Sequence, residues 1–206
     1  MRQAAVILAE QDPVLARLVD VFGLPRLSKP TESHYAALVR AITQQQLAAP
    51  AAAAIHRRLV DVLGGEVTPE QTLATGVQVL RSAGLSASKT ASLLDLAQKV
   101  ADDRVVLQPR RLARQGDEEV IAHLTTVRGI GEWSAQMFLL FQLHRLDVWP
   151  VGDLALRKGY AHAWGIGTPT PAQLRPLGDP YHPYRSVLAW YCWHAARRTP
   201  DMSVLD

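Results

Sequence analysis

Prolines at the start and glycines at the end of successive apolar-striped segments leave this chain little to fold into except helices. Asp12-Pro13 offers a side-chain cap and a first-turn proline. Val14, Leu15, Leu18 and Val19 then line one face, and Gly23 closes the segment. Thr31 can cap a second stripe, Tyr35, Leu38, Val39 and Ile42, that ends near Gln44-Gln45-Gln46. Pro50 starts an alanine-rich helix to about Leu63, closed by Gly64-Gly65. Thr68-Pro69-Glu70-Gln71 has the form of a capping box opening a helix to Ala83, with Gly84 behind it. Ser86 or Ser88 opens the next, with Leu93, Leu94, Ala97 and Val100 as its inner face. Asp117 caps DEEVIAHLTTV, and a further helix runs from Asp153 to about Trp164. Gly165, Gly167, Pro169 and Pro171 then break the chain before a last helix over roughly Pro183 to Ala196. The one strand-like run, VVLQP at 105–109, is short. An all-α protein is expected.

At 206 residues, 48% of them hydrophobic, the chain can bury a core as one large domain or two small ones. Its 22 basic and 19 acidic residues leave a net charge of only +3, a lean toward an anionic partner that identifies none. The single cysteine, Cys192, excludes an intramolecular disulfide and a four-cysteine metal or iron–sulfur site. Within VLAWYCW it is expected to be buried packing, as are Trp190 and Trp193. The histidines show no metal-ligand spacing, and no glycine-rich nucleotide loop follows a strand. No run of about 18 apolar residues is present to span a membrane. Glu10, Gln11 and Asp12 interrupt any signal-peptide layout. A soluble, cytoplasmic protein is expected.

Chemistry concentrates between Leu124 and Tyr160. Gly129 and Gly131 flank Ile130 between the end of one helix and the start of another, which runs to about Leu143. Glycine permits positive φ and close approach of another backbone, and the N–H groups of a new helix point outward. Such a turn is an anion site that fits a nucleic-acid phosphate, and it is also an ordinary helix–helix connection. Further on, Asp153 follows Pro150 and Gly152 at a helix start, where the macrodipole favours its charged form. Taken alone it reads as a plain N-cap.

LTTVRGIGEWSAQMF followed by DVWPVGDLALRKG resembles the helix-hairpin-helix DNA glycosylases, in which a hairpin precedes a Gly/Pro-rich loop and a catalytic aspartate. Within them the sequence is most similar to the alkylation-repair branch, that of 3-methyladenine DNA glycosylase II. Gln45-Gln46-Leu47-Ala48, LRSAGLSASKTASLLDLA and YHPYRSVLAWYCWHAA resemble three further segments of that branch, in the same order. The chain has no room for the extra N-terminal α/β domain of larger bacterial members, and it lacks the four cysteines of the endonuclease III branch. Trp133 stands where bifunctional members carry a Schiff-base lysine, which implies a monofunctional enzyme without lyase activity.

The resemblance implies a role for each matched residue. Asp153 is the catalytic carboxylate, beneath a deoxyribose that gains positive charge as the glycosidic bond breaks. Asp147 is a structural loop residue. Gly129 and Gly131, with the N–H groups of Ser134 and Ala135, hold backbone phosphates without reading sequence. Backbone carbonyls of Thr125, Val127 and Ile130 are the implied ligands of a structural Na+ or K+ at the hairpin. Arg128 adds a phosphate contact or is a solvated charge. Gln46 fills the gap left by an extruded nucleotide, with Leu47 as the apolar candidate if the register differs by one. Trp133, Met137 and Tyr181 line a pocket that stacks on a cationic, alkylated purine. Arg185 and Ser186 either join the last helix to the cleft or touch DNA.

The expected protein is therefore an all-α, two-lobed glycosylase domain over residues 1–206, with its cleft between the lobes. The terminal segments build one lobe and the middle helices the other. Its expected partner is double-stranded DNA containing a damaged base. It needs no cofactor and acts as a monomer. A glycosylase for a deaminated, oxidised or mismatched base, and a non-catalytic module that binds distorted DNA, are the alternatives.

Overall fold

The computed structural model describes residues 1–197, and among these every regular element is helical. The chain forms two compact units. One comprises residues 30–138; among the described residues the other joins 1–29 to 139–197. No helix among the described residues is long and apolar enough to cross a membrane.

The middle unit contains α3 (His34–Gln44), α4 (Ala49–Val62), α5 (Pro69–Ala74), α6 (Val77–Ser82), α7 (Ala87–Ala101), α8 (Pro109–Leu112), α9 (Asp117–Thr125) and α10 (Glu132–Met137). Leu38, Ile42, Leu59, Leu80, Leu93, Leu96 and Leu124 form its buried core. Ser33, not Thr31, caps α3, its hydroxyl accepting the Ala36 N–H at 3.1 Å. Ser86 caps α7 in the same way through the Lys89 N–H. The inner face of α7 is Leu93, Leu96 and Ala97, while Leu94 and Val100 are half-buried.

The single helix expected from Thr68 to Ala83 is two, because Gly76 takes an extended ψ of 151° and caps α6. Thr72 and Leu80, on either side of that break, are both fully buried. Asp117 is not the cap of α9 but its first residue, behind Gly116. There it heads an acidic first turn that suits the helix dipole. Val105, Val106 and Leu107 form no strand; they are buried in an irregular segment, with the Val105 N–H closing on the Lys99 carbonyl.

The terminal unit contains α1 (Arg2–Gln11), α2 (Pro13–Phe22), α11 (Leu154–Trp164), α12 (Pro171–Leu177) and α13 (Arg185–Arg197). Neither α1 nor α12 was expected. The first lacks a side-chain cap, and the second hides behind prolines that mark its start, where Thr170 and Gln173 make a reciprocal capping box. The chain passes from one unit to the other inside a π-helical turn, Phe138–Gln142, which replaces the last part of the helix expected to reach Leu143.

Helices α11 and α13 cross closely at Gly159, where an added Cβ would overlap the Cys192 carbonyl. Cys192 is fully buried, and burial pushes its thiol pKa up, as packing requires. Trp190 and Trp193 are half-buried rather than core residues. Trp190 stacks on His194, and Trp193 stacks on Phe141 with ring centroids 5.7 Å apart.

Candidate functional site

The sequence-derived site residues fall into two sets, one in each unit. In the middle unit, α9 ends in a tight turn whose Ile130 N–H bonds the Val127 carbonyl at 3.1 Å. Gly129 has φ 77°, and a Cβ there would lie 2.7 Å from the Ser92 hydroxyl, so position 129 demands glycine on both counts. The Arg128 N–H donates to Asp95 at 2.7 Å, and Lys99 donates both to Asp95 and to the Thr126 carbonyl. Burial alone would raise the Asp95 carboxyl, but these donors hold it below the usual carboxylate range.

Gly131 caps α10 with open space where its Cβ would be. The Ala135 N–H closes the first turn of α10 on the Gly131 carbonyl at 3.1 Å and its side chain is buried. It is therefore spent inside the helix, and the outward turn is that of Glu132, Trp133 and Ser134. Trp133 is 49% exposed, and Met137 follows one turn later, half-buried.

The glutamine triplet lies beside this turn. The Gln45 amide donates to the Gly129 carbonyl at 2.8 Å, and Lys89 donates to the Thr43 and Gln45 carbonyls at 2.7 and 2.8 Å. Gln46 is exposed with φ 56°, and Leu47 next to it is also exposed. The expected gap-filling residues and the expected phosphate turn are thus neighbours in one unit. Lys89 and Asp95 were missed by sequence reasoning, because nothing in a helical pattern reveals which carbonyl a surface side chain will meet.

In the terminal unit, Asp153 caps α11. Its Oδ1 accepts the Leu156 N–H at 2.8 Å and its own N–H bonds the Pro150 carbonyl at 2.9 Å. The carboxylate is half-buried at the end of a short loop whose base is buried. Trp149 donates its indole N–H to the Leu174 carbonyl at 3.2 Å, and its ring lies against Gly178.

The preceding loop is pinned by the start of α13. The buried Ser186 hydroxyl donates to the Arg145 carbonyl and accepts the Val148 N–H, at 2.7 and 2.9 Å. Arg185 grips Asp147 through Nε at 2.8 Å and a terminal nitrogen at 2.9 Å, and His182 approaches the same carboxylate at 2.7 Å. Burial would raise the Asp147 carboxyl, yet Arg185 and His182 hold it below the usual range. These contacts give Arg185, Ser186 and Asp147 structural work.

Tyr181 is buried, its hydroxyl donates to Asp12, and its ring meets the edge of Trp164. Its described contacts, to Asp12 and Trp164, lie inside the unit. Among the described residues of this unit, Phe141 is an exposed aromatic, 44% exposed and stacked on Trp193. Phe141 escaped sequence reasoning because the π-helical turn breaks the 3.6-residue period.

Residues 39–179 match the HhH-GPD superfamily of base excision DNA repair proteins. The chain belongs to this superfamily. It is 32% identical over 202 residues to DNA-3-methyladenine glycosylase 1 of Schizosaccharomyces pombe, covering 96% of this chain and 88% of that protein. The solved structure of the 3-methyladenine DNA glycosylase from that yeast, in complex with abasic DNA, has a TM-score of 0.82 over 96% of this chain and 98% of that one. A DNA-3-methyladenine glycosidase from Bacillus halodurans is 34% identical, with a TM-score of 0.83 over 91% of this chain and 86% of that one. The HhH-GPD match takes in Gln46, the hairpin and Asp153, in that order along the chain.

Proposed function

We infer that this protein is a monofunctional DNA glycosylase that hydrolyses the N-glycosidic bond of alkylated bases of the 3-methyladenine and 7-methylguanine type, in duplex DNA. The observation that carries the reading is Asp153, a half-buried carboxylate that caps a helix at the end of a loop anchored by Trp149. The 32% identity to a DNA-3-methyladenine glycosylase over nearly the whole chain supports the substrate class.

Alkylation at N3 or N7 makes the purine cationic, so the C1′–N bond breaks with its electron pair leaving on a base that becomes neutral. Asp153 stabilises the positive charge that develops on the sugar and orients the water that adds to C1′ and loses a proton. The base is replaced by a hydroxyl, leaving an abasic site, and no electron is gained or lost, so the reaction calls for no redox cofactor.

Gly129, Gly131 and the outward turn through Ser134 hold phosphates of one strand, and Gln46, with Leu47 beside it, fills the space of the extruded nucleotide. Trp133 and Met137 offer the flipped base a stacking surface suited to a cationic ring. The carbonyls of Thr125, Val127 and Ile130 suit a weakly held Na+ or K+: they are neutral oxygens at a helix end, and the Val127 carbonyl keeps one lone pair beside its bond to Ile130. Such an ion would add positive charge beside a phosphate. The protein works as a monomer in the cytoplasm, associated with DNA.

Base release from duplexes carrying 3-methyladenine, 7-methylguanine, uracil or 8-oxoguanine tests the reading. Release of the two cationic bases is expected. Release confined to uncharged lesions would replace the substrate assignment, and release of none would favour a binding module. Trp133 has no amine to form a Schiff base, so borohydride should trap no covalent complex; a trapped complex would end the monofunctional claim.

A further inference from the structure

We propose that the polar stripe of α7, Lys89, Ser92, Asp95 and Lys99, fixes the distance between the Gln46 tip and the hairpin turn, with Lys89 and Gln45 acting as positioning residues for nucleotide extrusion. The proposal rests on the glycosylase reading for what the tip does, and on the geometry of the middle unit for how it is held.

Lys89 sits in the first turn of α7, where its own helix dipole disfavours a cation. Its ammonium instead lies at the C-terminal end of α3 and bonds the Thr43 and Gln45 carbonyls, acceptors that a helix end leaves unsatisfied. Burial lowers the pKa of this lysine, which is the cost of placing it there. The next residue is Gln46, at a positive φ uncommon outside glycine, so the carbonyl locked by Lys89 is the one that sets the direction of the tip.

Gln45 then links the tip to the turn through its amide bond to the Gly129 carbonyl. Further along the same face of α7, Ser92 lies under Gly129, Asp95 accepts the Arg128 N–H, and Lys99 holds Asp95 and the Thr126 carbonyl. Residues 89, 92, 95 and 99 recur at helical spacing, so one rigid element braces both the gap-filling tip and the phosphate turn. A strand gripped at the turn is thereby met by Gln46 at a fixed offset, which is the preorganisation that extrusion needs.

Lys89→Met keeps the aliphatic stem and removes the donors. In the full-length protein, two readouts are followed: single-turnover release of 7-methylguanine, and fluorescence of a 2-aminopurine placed beside the lesion, which reports unstacking. On paired duplex, release and the fluorescence rise should both fall about tenfold or more. With the lesion unpaired in a bulge, extrusion costs little and the loss should shrink to about twofold. Affinity for undamaged duplex, set by phosphate contacts, should change by no more than about twofold.

Equal losses on paired and bulged DNA would make Lys89 merely structural and overturn the proposal, as would wild-type release on paired DNA. Where circular dichroism shows that Lys89→Met does not fold, Gln45→Ala carries the same comparison, with the same pattern expected and the same outcomes overturning it. A wild-type protein that releases no alkylated base from either DNA sinks the glycosylase reading instead, and the fluorescence comparison then decides this proposal alone.

Discussion

The hairpin of the middle unit and the Asp153 loop of the terminal unit both present candidate functional groups at a helix start, but they are braced by opposite means. Around the hairpin the braces are polar: Lys89, Asp95, Lys99 and the Gln45 amide reach backbone groups from half-exposed positions. Around Asp153 they are buried: Trp149 against Gly178, Ser186 between Arg145 and Val148, and Gly159 against Cys192. On the proposed function, a turn that grips phosphates of any sequence needs donors and open space. A carboxylate that must meet a developing charge needs a fixed place, and close packing supplies that at the least cost in motion. The contrast can be broken from either side.

The largest effect is expected where the packing is tightest. Gly159→Ala drives a Cβ into the Cys192 backbone, which has no flexible end to yield, and should destabilise the protein by about 3 kcal/mol or more in a urea titration. Gly131→Ala, into open space at φ −94°, should stay within about 0.5 kcal/mol of the parent. Equal stability for the two would remove the distinction between a packed and an open support.

Asp153→Asn comes next. It keeps an N-cap acceptor and loses the charge, so single-turnover base release should fall about 10²- to 10³-fold while duplex affinity holds. Unchanged release would void the assigned mechanism.

On the hairpin side the effects should appear in binding and not in folding. Gly131→Val projects branches into the space where a phosphate is expected and should weaken binding to all duplex sequences by about tenfold, with little change in stability. A loss confined to one lesion would contradict the phosphate role. Gly129→Ala differs in kind, because it strains φ and crowds Ser92, so stability and affinity should fall together.

The helical architecture was legible because caps and stops are local: Asp12-Pro13, Pro50, Ser86 and Asp153 all act where the sequence places them. What failed was also physical. Gly76 breaks a helix whose capping signals lie outside it, and Asp117 gives up the cap to a glycine because its charge serves the first turn. Asp153 could be placed at a helix start from Pro150 and Gly152 before it. By contrast, the Lys89 contacts join residues 44 and 46 positions apart, and no local pattern encodes them. Tyr181 and Trp193 show the same limit in reverse. A residue matched to a pocket wall is tied inward to Asp12, and one assigned to the core is half-exposed beside Phe141.

The smallest expected effect tests whether the loop before Asp153 is held by charge as well as by packing. The Asp147 carboxyl is depressed in the folded protein by Arg185 and His182 despite its burial. A depressed carboxyl adds stability above its unfolded value, about 3.9, and that contribution is lost as pH falls through the lower folded value. Asp147→Asn should therefore cost about 1 kcal/mol at neutral pH, since the pair is partly exposed, and should flatten the acid limb of stability below the ordinary carboxylate range. Urea midpoints followed from pH 7 down to about 3 read both effects. The same substitution at Asp95 should flatten that limb through the hairpin brace instead, with base release from bulged DNA changing by no more than about twofold. If Asp147→Asn keeps the full acid limb while Asp95→Asn loses it, charge supports only the hairpin, and the Asp153 loop stands on packing alone.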